Sequence, residues 1–218
     1  MNKKTIVITG ASSGLGQEVA LLLRPDSLYL LSRHKPCDAL KTGTWILCDI
    51  SSKEQIMDAC KKLPAEIDVF IHCAGIGLAK PLEVITHDEI DNVIQTNVIG
   101  TIYLTQEIYN RMVAQKFGHI IIVTSTSGKK PRENETVYCA SKFAEAGFSE
   151  ALHLEGMKHN IQVTTVYPGG MKTNFYTHMA PRNIEAFMDP KNVARQIVSL
   201  IDAPDNCVVS QITIERMG

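Results

Sequence analysis

Short, continuous apolar runs alternate along this chain with longer amphipathic segments. A run that is apolar almost throughout, as in Thr5–Thr9 or His119–Thr124, is typical of a strand buried on both faces. Alternation of such strands with helices favours a parallel sheet that has helices on both sides. We therefore predict an α/β, doubly wound fold with a single, mostly parallel seven-stranded sheet.

Apolar runs, and the glycines and prolines between them, set the predicted element boundaries. Segment 34–43 is brief and contains Pro36 and Gly43, so we expect a turn there in place of one helix. The predicted strands are Thr5–Thr9, Leu28–Leu31, Thr44–Cys48, Val69–Cys73, His119–Thr124, Gln162–Val166 and Val208–Ile214. The predicted helices are Leu15–Leu23, Lys53–Lys62, Asp88–Tyr109, Tyr138–Lys158 and Asn192–Ile201.

Composition limits the class of protein and its partners. The chain has 218 residues, of which 44% are apolar, and a formal net charge of −1, which fits one domain over residues 1–218. Near-neutral charge argues against nucleic acid or an anionic membrane as the main partner. The six cysteines form no Cys-x-x-Cys pair, so we expect reduced core thiols and no metal site. No apolar run fits a signal peptide or a membrane span, and we expect a cytoplasmic protein.

Three glycines, Gly10, Gly14 and Gly16, follow the first predicted strand and open the first predicted helix. Glycine permits a tight turn and lets the backbone approach a pyrophosphate closely. The free N–H groups and the dipole of the helix N-terminus favour the same anion. Such a turn can also simply end a strand, but its position at the first strand–helix junction favours a Rossmann-type nucleotide site.

Tyr138 and Lys142 lie four residues apart in a predicted helix and therefore share one helix face. A free phenol has a pKa of about 10, and a neighbouring ammonium lowers it, so Tyr138 is a candidate proton donor and acceptor. Ser125 follows a predicted strand, at the sheet edge where open α/β sheets bind ligands. A Tyr-Lys pair at this spacing also arises by chance, and the other motifs favour a functional role.

Together these motifs resemble the short-chain dehydrogenase/reductase family over nearly the whole chain. Thr9-Gly-x-x-x-Gly-x-Gly16 is similar to the family's cofactor turn, and Tyr138-x-x-x-Lys142 with Ser125 is similar to its catalytic residues. Asn97, in Thr-Asn-Val-Ile-Gly, is similar to the asparagine that completes the catalytic tetrad. The resemblance implies that the catalytic residues are Asn97, Ser125, Tyr138 and Lys142.

The resemblance also implies which residues bind a nicotinamide cofactor. Asp49-Ile50 is similar to the pair that contacts adenine, and Pro168-Gly-Gly-Met-Lys-Thr173 to the motif that closes over the nicotinamide. The implied cofactor-binding residues are Gly10, Ser12, Ser13, Gly14, Leu15, Gly16, Ser32, Arg33, Asp49, Ile50, Ala74, Gly75, Tyr138, Lys142, Pro168, Gly169, Met171 and Thr173.

One motif departs from the family pattern. Where the family commonly has Asn-Asn-Ala-Gly, this chain has His72-Cys-Ala-Gly75. The Ala-Gly half still permits close approach of the backbone to the cofactor, whereas the lost amides put local hydrogen bonds in doubt. We interpret His72 as a core histidine with satisfied hydrogen bonds rather than as a catalytic base.

Ser32 and Arg33 stand where an acidic residue would bind the ribose 2′-hydroxyl of NAD. Ser32 brings no repulsion, and the planar guanidinium of Arg33 can pair with a 2′-phosphate. These residues predict NADP(H) in preference to NAD(H). The alternative is that Arg33 is a solvated surface charge, since Ser13 is not basic, as its counterpart often is in NADP-preferring members.

The implied reaction is reversible hydride transfer between NADP(H) and a ketone, aldehyde or 3-oxoacyl substrate. Tyr138 would give its proton to the developing alkoxide, and Ser125 would hold the same oxygen. Lys142 would lower the pKa of Tyr138 and bind the nicotinamide ribose. Asn97 would anchor a water in a proton relay from Lys142.

Two other functions remain open. A catalytically silent NADP(H)-binding sensor or scaffold would keep the fold without the reaction, although Ser125, Tyr138 and Lys142 are all present. A sugar-nucleotide epimerase or dehydratase would have a longer substrate domain after the seventh strand. By resemblance, the two longest predicted helices would pair between subunits in a homodimer or homotetramer.

Two segments near the predicted site allow two interpretations each. The first is the apolar segment after Pro168, which forms either a lid over an apolar substrate or ordinary packing at the sheet edge. Its apolar residues are Met171, Phe175, Tyr176, Met179, Phe187 and Met188. The basic loop Lys129–Arg132 either attracts an acidic substrate or is a solvated loop.

Overall fold

The computed structural model describes residues 3–23, 27–175, 184–202 and 207–217. Seven parallel strands form one sheet in the order β3-β2-β1-β4-β5-β6-β7, which confirms the predicted doubly wound fold. The strands are β1 (Thr5–Thr9), β2 (Ser27–Ser32), β3 (Thr44–Leu47), β4 (Val69–His72), β5 (Gly118–Val123), β6 (Ile161–Pro168) and β7 (Gln211–Ile214).

Helices connect the strands, and local sequence signals start several of them. Ser52 caps α2, Thr86 and Glu89 form a capping box at α3, and Asp189 caps α6. Between β2 and β3 there is only a short 3₁₀ turn, Asp38–Leu40, as expected. The helices are α1 (Gly14–Leu22), α2 (Lys53–Lys61), α3 (His87–Ile94), α4 (Thr101–Gln115), α5 (Thr136–Gly156) and α6 (Pro190–Ser199).

Strand β1 shows why the strand sequences are apolar throughout. Ile6 and Ile8 belong to the core between the sheet and the layer of α1 and α6. Val7, between them, belongs to the core on the opposite face, which includes residues of α2 and α4. Because successive side chains point to opposite faces of a strand, a sheet covered on both sides needs apolar residues at every position.

The helix predicted over Asp88–Tyr109 is present, but it is not a regular α-helix throughout. Helices α3 and α4 are separated by a π-helical turn, Gln95–Gly100. A Cβ at Gly100 would lie 2.1 Å from the carbonyl oxygen of Ile50, so the wide turn packs directly on the backbone that follows β3. Such π-turns recur at functional sites, and this one contains Asn97.

Strand β6 extends further than predicted and carries Pro168 to the carboxyl edge of the sheet. Pro168 pairs with Ile214 of β7, and the Gly169 N–H donates to the carbonyl of Ile214 at 2.8 Å. This fixes the direction in which the chain leaves β6, toward the ends of β4 and β5.

Candidate active site

A cavity of about 370 Å³ lies along the carboxyl ends of the strands, where the strand order reverses between β1 and β4. All the residues implied to bind the cofactor line it, from Gly10 in the first turn to Thr173 after β6, and so does Ser125. Phe175, from the predicted lid or packing segment, also lines it, and so do residues outside the predicted cofactor-binding set: Leu31, His34, Cys48, Cys73, Ile76, Gly77, Thr96, Val123, Thr124 and Asn174.

The glycine turn forms one wall of the cavity through close backbone contacts. Gly10 has a φ of +67°, and a Cβ there would lie 3.1 Å from the backbone of Ala74. A Cβ at Gly16 would lie 2.5 Å from the carbonyl oxygen of Gly10. Among the described residues no side chain caps the first turn of α1, so its N–H groups can bind an anion. These features fit the pyrophosphate of a dinucleotide.

The end of β2 lies at the far side of the cavity from the catalytic candidates. Ser32 is buried, and its hydroxyl donates to the carbonyl of His34 at 2.7 Å. This bond holds the tight bend that leaves Arg33 exposed at the cavity wall. Asp49, on the next strand end, accepts from both the N–H and the hydroxyl of Ser51 through Oδ1.

Helix α5 places Tyr138 and Lys142 side by side at the cavity. Tyr138 is 6% exposed, and the Lys142 Nζ lies 5.9 Å from the centroid of its ring. Ser125 lies two residues after the end of β5. Its Oγ accepts a hydrogen bond from the N–H of Ser127 at 3.0 Å, and this bond orients the side chain. The ring of Phe175 lies 6.0 Å from the Tyr138 ring. The tyrosine, the ammonium and the serine therefore all line the same cavity.

Asn97 does not line the cavity but lies directly behind its wall. Its Nδ2 donates to the Ile76 carbonyl at 2.8 Å, and its Oδ1 accepts the Ile76 N–H at 2.8 Å. A Cβ at Gly75 would lie 3.3 Å from the Asn97 Oδ1 and 3.4 Å from the Lys142 Nζ. Asn97 thus fixes the backbone at residues 75 and 76 and sits beside Lys142.

His72 is a fully bonded core residue. Its Nδ1 lies 3.0 Å from the Thr9 hydroxyl, and its Nε2 lies 2.9 Å from the Thr101 hydroxyl. The Thr9 oxygen also accepts the N–H groups of Cys73 and Ala74. Burial lowers the pKa of His72 to about 3, so the ring is neutral at pH 7 and has no spare lone pair with which to act as a base.

Sequence reasoning missed Glu145, which forms a buried ion pair with Lys142. The Glu145 Oε2 lies 2.5 Å from the Lys142 Nζ, and the two side chains are 0% and 4% exposed. Burial raises the pKa of Glu145, and the Lys142 ammonium opposes that rise. The signal was present in the spacing, because residue 145 lies three positions after Lys142 and on the helix face that carries Tyr138.

The apolar segment after Pro168 is only partly at the cavity. Met171 and Phe175 line it, whereas Phe187 packs beside Gly170, and Met188 bridges to Met171. Tyr176 and Met179 lie outside the described residues.

The basic loop is bound away from the cavity. The Lys129 Nζ lies 3.9 Å from the centroid of the Tyr167 ring and 3.1 Å from the Thr213 hydroxyl. Arg132 donates to the Thr126 hydroxyl. These contacts favour the second interpretation of Lys129–Arg132, a solvated loop, over a loop that attracts an acidic substrate.

Two thiols line the cavity without the character of nucleophiles. Burial raises the pKa of both Cys48 and Cys73 to about 12, which keeps them protonated at pH 7.

Within ranges 3–23, 27–175, 184–202 and 207–217, no cluster of three acidic, histidine or cysteine side chains is placed to hold a metal ion. None of the helices described there is long and apolar enough to cross a bilayer.

A model of the short chain dehydrogenase family matches residues 4–183 of this chain. A sepiapterin reductase of Chlorobaculum tepidum is 28% identical, over 97% of this chain and 96% of the relative. A 3-oxoacyl-[acyl-carrier-protein] reductase of Buchnera aphidicola is also 28% identical, over 89% of this chain and 82% of the relative. A crystal structure of a short-chain dehydrogenase/reductase from Vibrio parahaemolyticus has a TM-score of 0.85 and 30% identity, over 98% of this chain and 97% of that one.

Proposed function

We propose that this chain, which belongs to the short-chain dehydrogenase/reductase family, transfers a hydride between NADP(H) and a carbonyl or alcohol substrate. Family membership makes it an NAD(P)-dependent oxidoreductase, and the preference for NADP(H) and the substrate class are our proposals. Two relatives are named as reductases, one of them of a 3-oxoacyl group, which favours a ketone or aldehyde as the oxidised substrate.

One observation carries the proposal. One cavity is lined both by the glycine turn after β1 and by Ser125, Tyr138 and Lys142 from the end of β5 and from α5. An anion-binding helix start and a proton-transfer group that line the same cavity suit a dinucleotide whose reactive ring reaches the tyrosine.

Different residues would bind the cofactor, transfer the proton and stabilise the charge in this reaction. When bound, the nicotinamide supplies the hydride or accepts it. The turn of Gly10 to Gly16 would hold the pyrophosphate, and the backbone at Pro168 and Gly169 would face the nicotinamide. The Tyr138 hydroxyl donates a proton to the substrate oxygen in reduction and takes it back in oxidation, while the Ser125 hydroxyl donates a hydrogen bond to the same oxygen. The Lys142 ammonium stabilises the phenolate that Tyr138 leaves behind.

Replacing Arg33 by alanine is expected to raise the Kd for NADPH about tenfold and to leave the Kd for NADH nearly unchanged. Only the phosphorylated cofactor carries the 2′-phosphate that the exposed guanidinium at the cavity wall can pair with. Titration of cofactor fluorescence for both forms measures the two constants.

A matched control is Arg195→Ala, on α6, where the guanidinium donates to Asn192. That variant should bind both cofactors as the unmodified chain does. Equal weakening of NADPH and NADH by Arg33→Ala would refute the pairing, and turnover with NADH as fast as with NADPH would refute the NADP preference.

A panel of aldehydes, ketones and 3-oxoacyl thioesters, assayed by NADPH oxidation, tests the activity itself. We expect turnover of at least one ketone class. Tight NADPH binding without turnover of any of them would favour the alternative, a cofactor-binding sensor or scaffold.

We further propose one domain over residues 1–218, a cytoplasmic location, and a homodimer or homotetramer. Exposed apolar side chains on α5 and directly after it support the last point, namely Phe143, Leu154 and Met157.

A further inference from the structure

Glu145 forms a buried ion pair with Lys142 and has no role in the mechanism above. Both side chains are almost completely removed from solvent, yet Lys142 also lines the cavity. Removing two charges from water costs free energy unless they serve each other or a reaction. The carboxylate therefore pairs with the ammonium that acts on Tyr138.

A series of polar contacts connects this carboxylate to the cavity wall. The Glu145 Oε1 lies 3.4 Å from the Thr101 hydroxyl, which donates to the Asn97 carbonyl at 2.6 Å. The same Thr101 oxygen lies 2.9 Å from the His72 Nε2, and His72 continues to Thr9. The carboxylate thus contacts Lys142 on its own helix and Thr101 on α4, and Thr101 in turn contacts His72 of β4.

The described groups around Glu145 carry no other negative charge toward Lys142. The Glu145 carboxylate is therefore the anion that faces the Lys142 ammonium. Lys142 and Tyr138 lie on its own helix, and β4 contributes His72 and Cys73, both uncharged at pH 7. The π-turn and α4 contribute Asn97 and Thr101, which do not titrate. Elsewhere, His87, Asp88 and Asp91 of α3 are exposed, and Glu89 of α3 pairs with Lys80. On β6, Thr165 bonds to Ser149.

We propose that Glu145 is a positioning residue that holds the Lys142 ammonium and partly offsets its charge, and so sets the pH at which Tyr138 exchanges its proton. This inference rests on the proposed role of Tyr138. An anion paired with the ammonium weakens the field that the phenolate experiences, so the phenol of this chain ionises at a higher pH than beside an uncompensated lysine.

The test is a spectroscopic titration of Tyr138 that needs no turnover. Tyrosinate absorbance is followed against pH, and the curve of the Tyr138→Phe variant is subtracted, with and without saturating NADP⁺. In Glu145→Gln, which keeps the shape and removes the charge, we expect the midpoint of Tyr138 ionisation to fall by about one pH unit. The subtraction is repeated with the double variant Tyr138→Phe, Glu145→Gln.

An unchanged midpoint, or one that rises, would overturn the proposal. Glu155→Gln makes the same chemical change at an exposed position of the same helix and should leave the midpoint in place. If Glu145→Gln unfolds, Glu145→Leu replaces it and is expected to shift the midpoint in the same direction. A shifted midpoint in a protein that reduces no carbonyl would sustain this inference while the proposed function failed.

Discussion

Replacing Tyr138 by phenylalanine is expected to lower kcat for carbonyl reduction about a thousandfold while leaving the Kd for NADPH nearly unchanged. The substitution removes one hydroxyl and keeps the ring, which packs near Phe175 and is 6% exposed. Without the hydroxyl, no other group described at this end of the cavity combines an acidic proton with a neighbouring ammonium. Steady-state kinetics with the best substrate of the panel, together with NADPH titration, measures the two effects.

The control for that variant is Tyr109→Phe, on α4. The Tyr109 ring lies 6.2 Å from the ring of His159, away from the cavity, so its kinetics should match those of the unmodified chain. Turnover by Tyr138→Phe within a few-fold of normal would remove Tyr138 from the mechanism. Loss of NADPH binding in that variant would show instead that the hydroxyl has a role in the cofactor site.

The fold was predictable because each strand can be recognised from the apolar residues of its own sequence. Ile6, Val7 and Ile8 are all apolar because the sheet is covered on both faces, and the run can be found without knowledge of the partner strands. The glycine turn was predictable for a similar reason, since its position after the first strand is a local feature of the sequence. Where the evidence was local, the sequence was sufficient.

The interruption of the long helix could not be found in this way. Residues 95–100 have an ordinary helical sequence, and the π-turn depends on the contact between Gly100 and the carbonyl of Ile50, which lies fifty residues earlier in the chain. The position of Asn97 behind the cavity wall follows from the same contact. Single-sequence periodicity contains no information about which backbone a helix will meet.

Glu145 was missed, and Phe175 was predicted only as a lid or packing residue, without its contact with the Tyr138 ring; the reasons differ. The helical spacing places Glu145 on the face of Lys142, but a carboxylate in a long helix is usually solvated, and only the packing of α4 and β4 shows that it is buried. Phe175 reaches the Tyr138 ring because Pro168 and Gly169 direct the chain across the sheet edge. Both facts are properties of the tertiary structure.

Replacing Gly16 by alanine is expected to raise the Kd for NADPH about a hundredfold and to lower the free energy of unfolding by about 2 kcal/mol. The added Cβ would lie 2.5 Å from the carbonyl oxygen of Gly10 and 3.0 Å from that of Thr9. Backbone atoms cannot move aside as a flexible side chain can, so α1 must shift away from the turn. That shift moves the helix N-terminus out of line with the pyrophosphate it would bind. NADPH titration and denaturant unfolding measure the two effects.

Gly147→Ala provides the matched control, because a Cβ at that exposed position of α5 meets nothing within 4 Å. Alanine is favoured over glycine inside a helix by roughly 0.5–1 kcal/mol, so this variant should be more stable and bind NADPH normally. The two substitutions add the same methyl group and are expected to change stability in opposite directions. If Gly16→Ala bound NADPH as tightly as Gly147→Ala, the glycine turn would not be the pyrophosphate site, and the cofactor would have to lie elsewhere in the cavity.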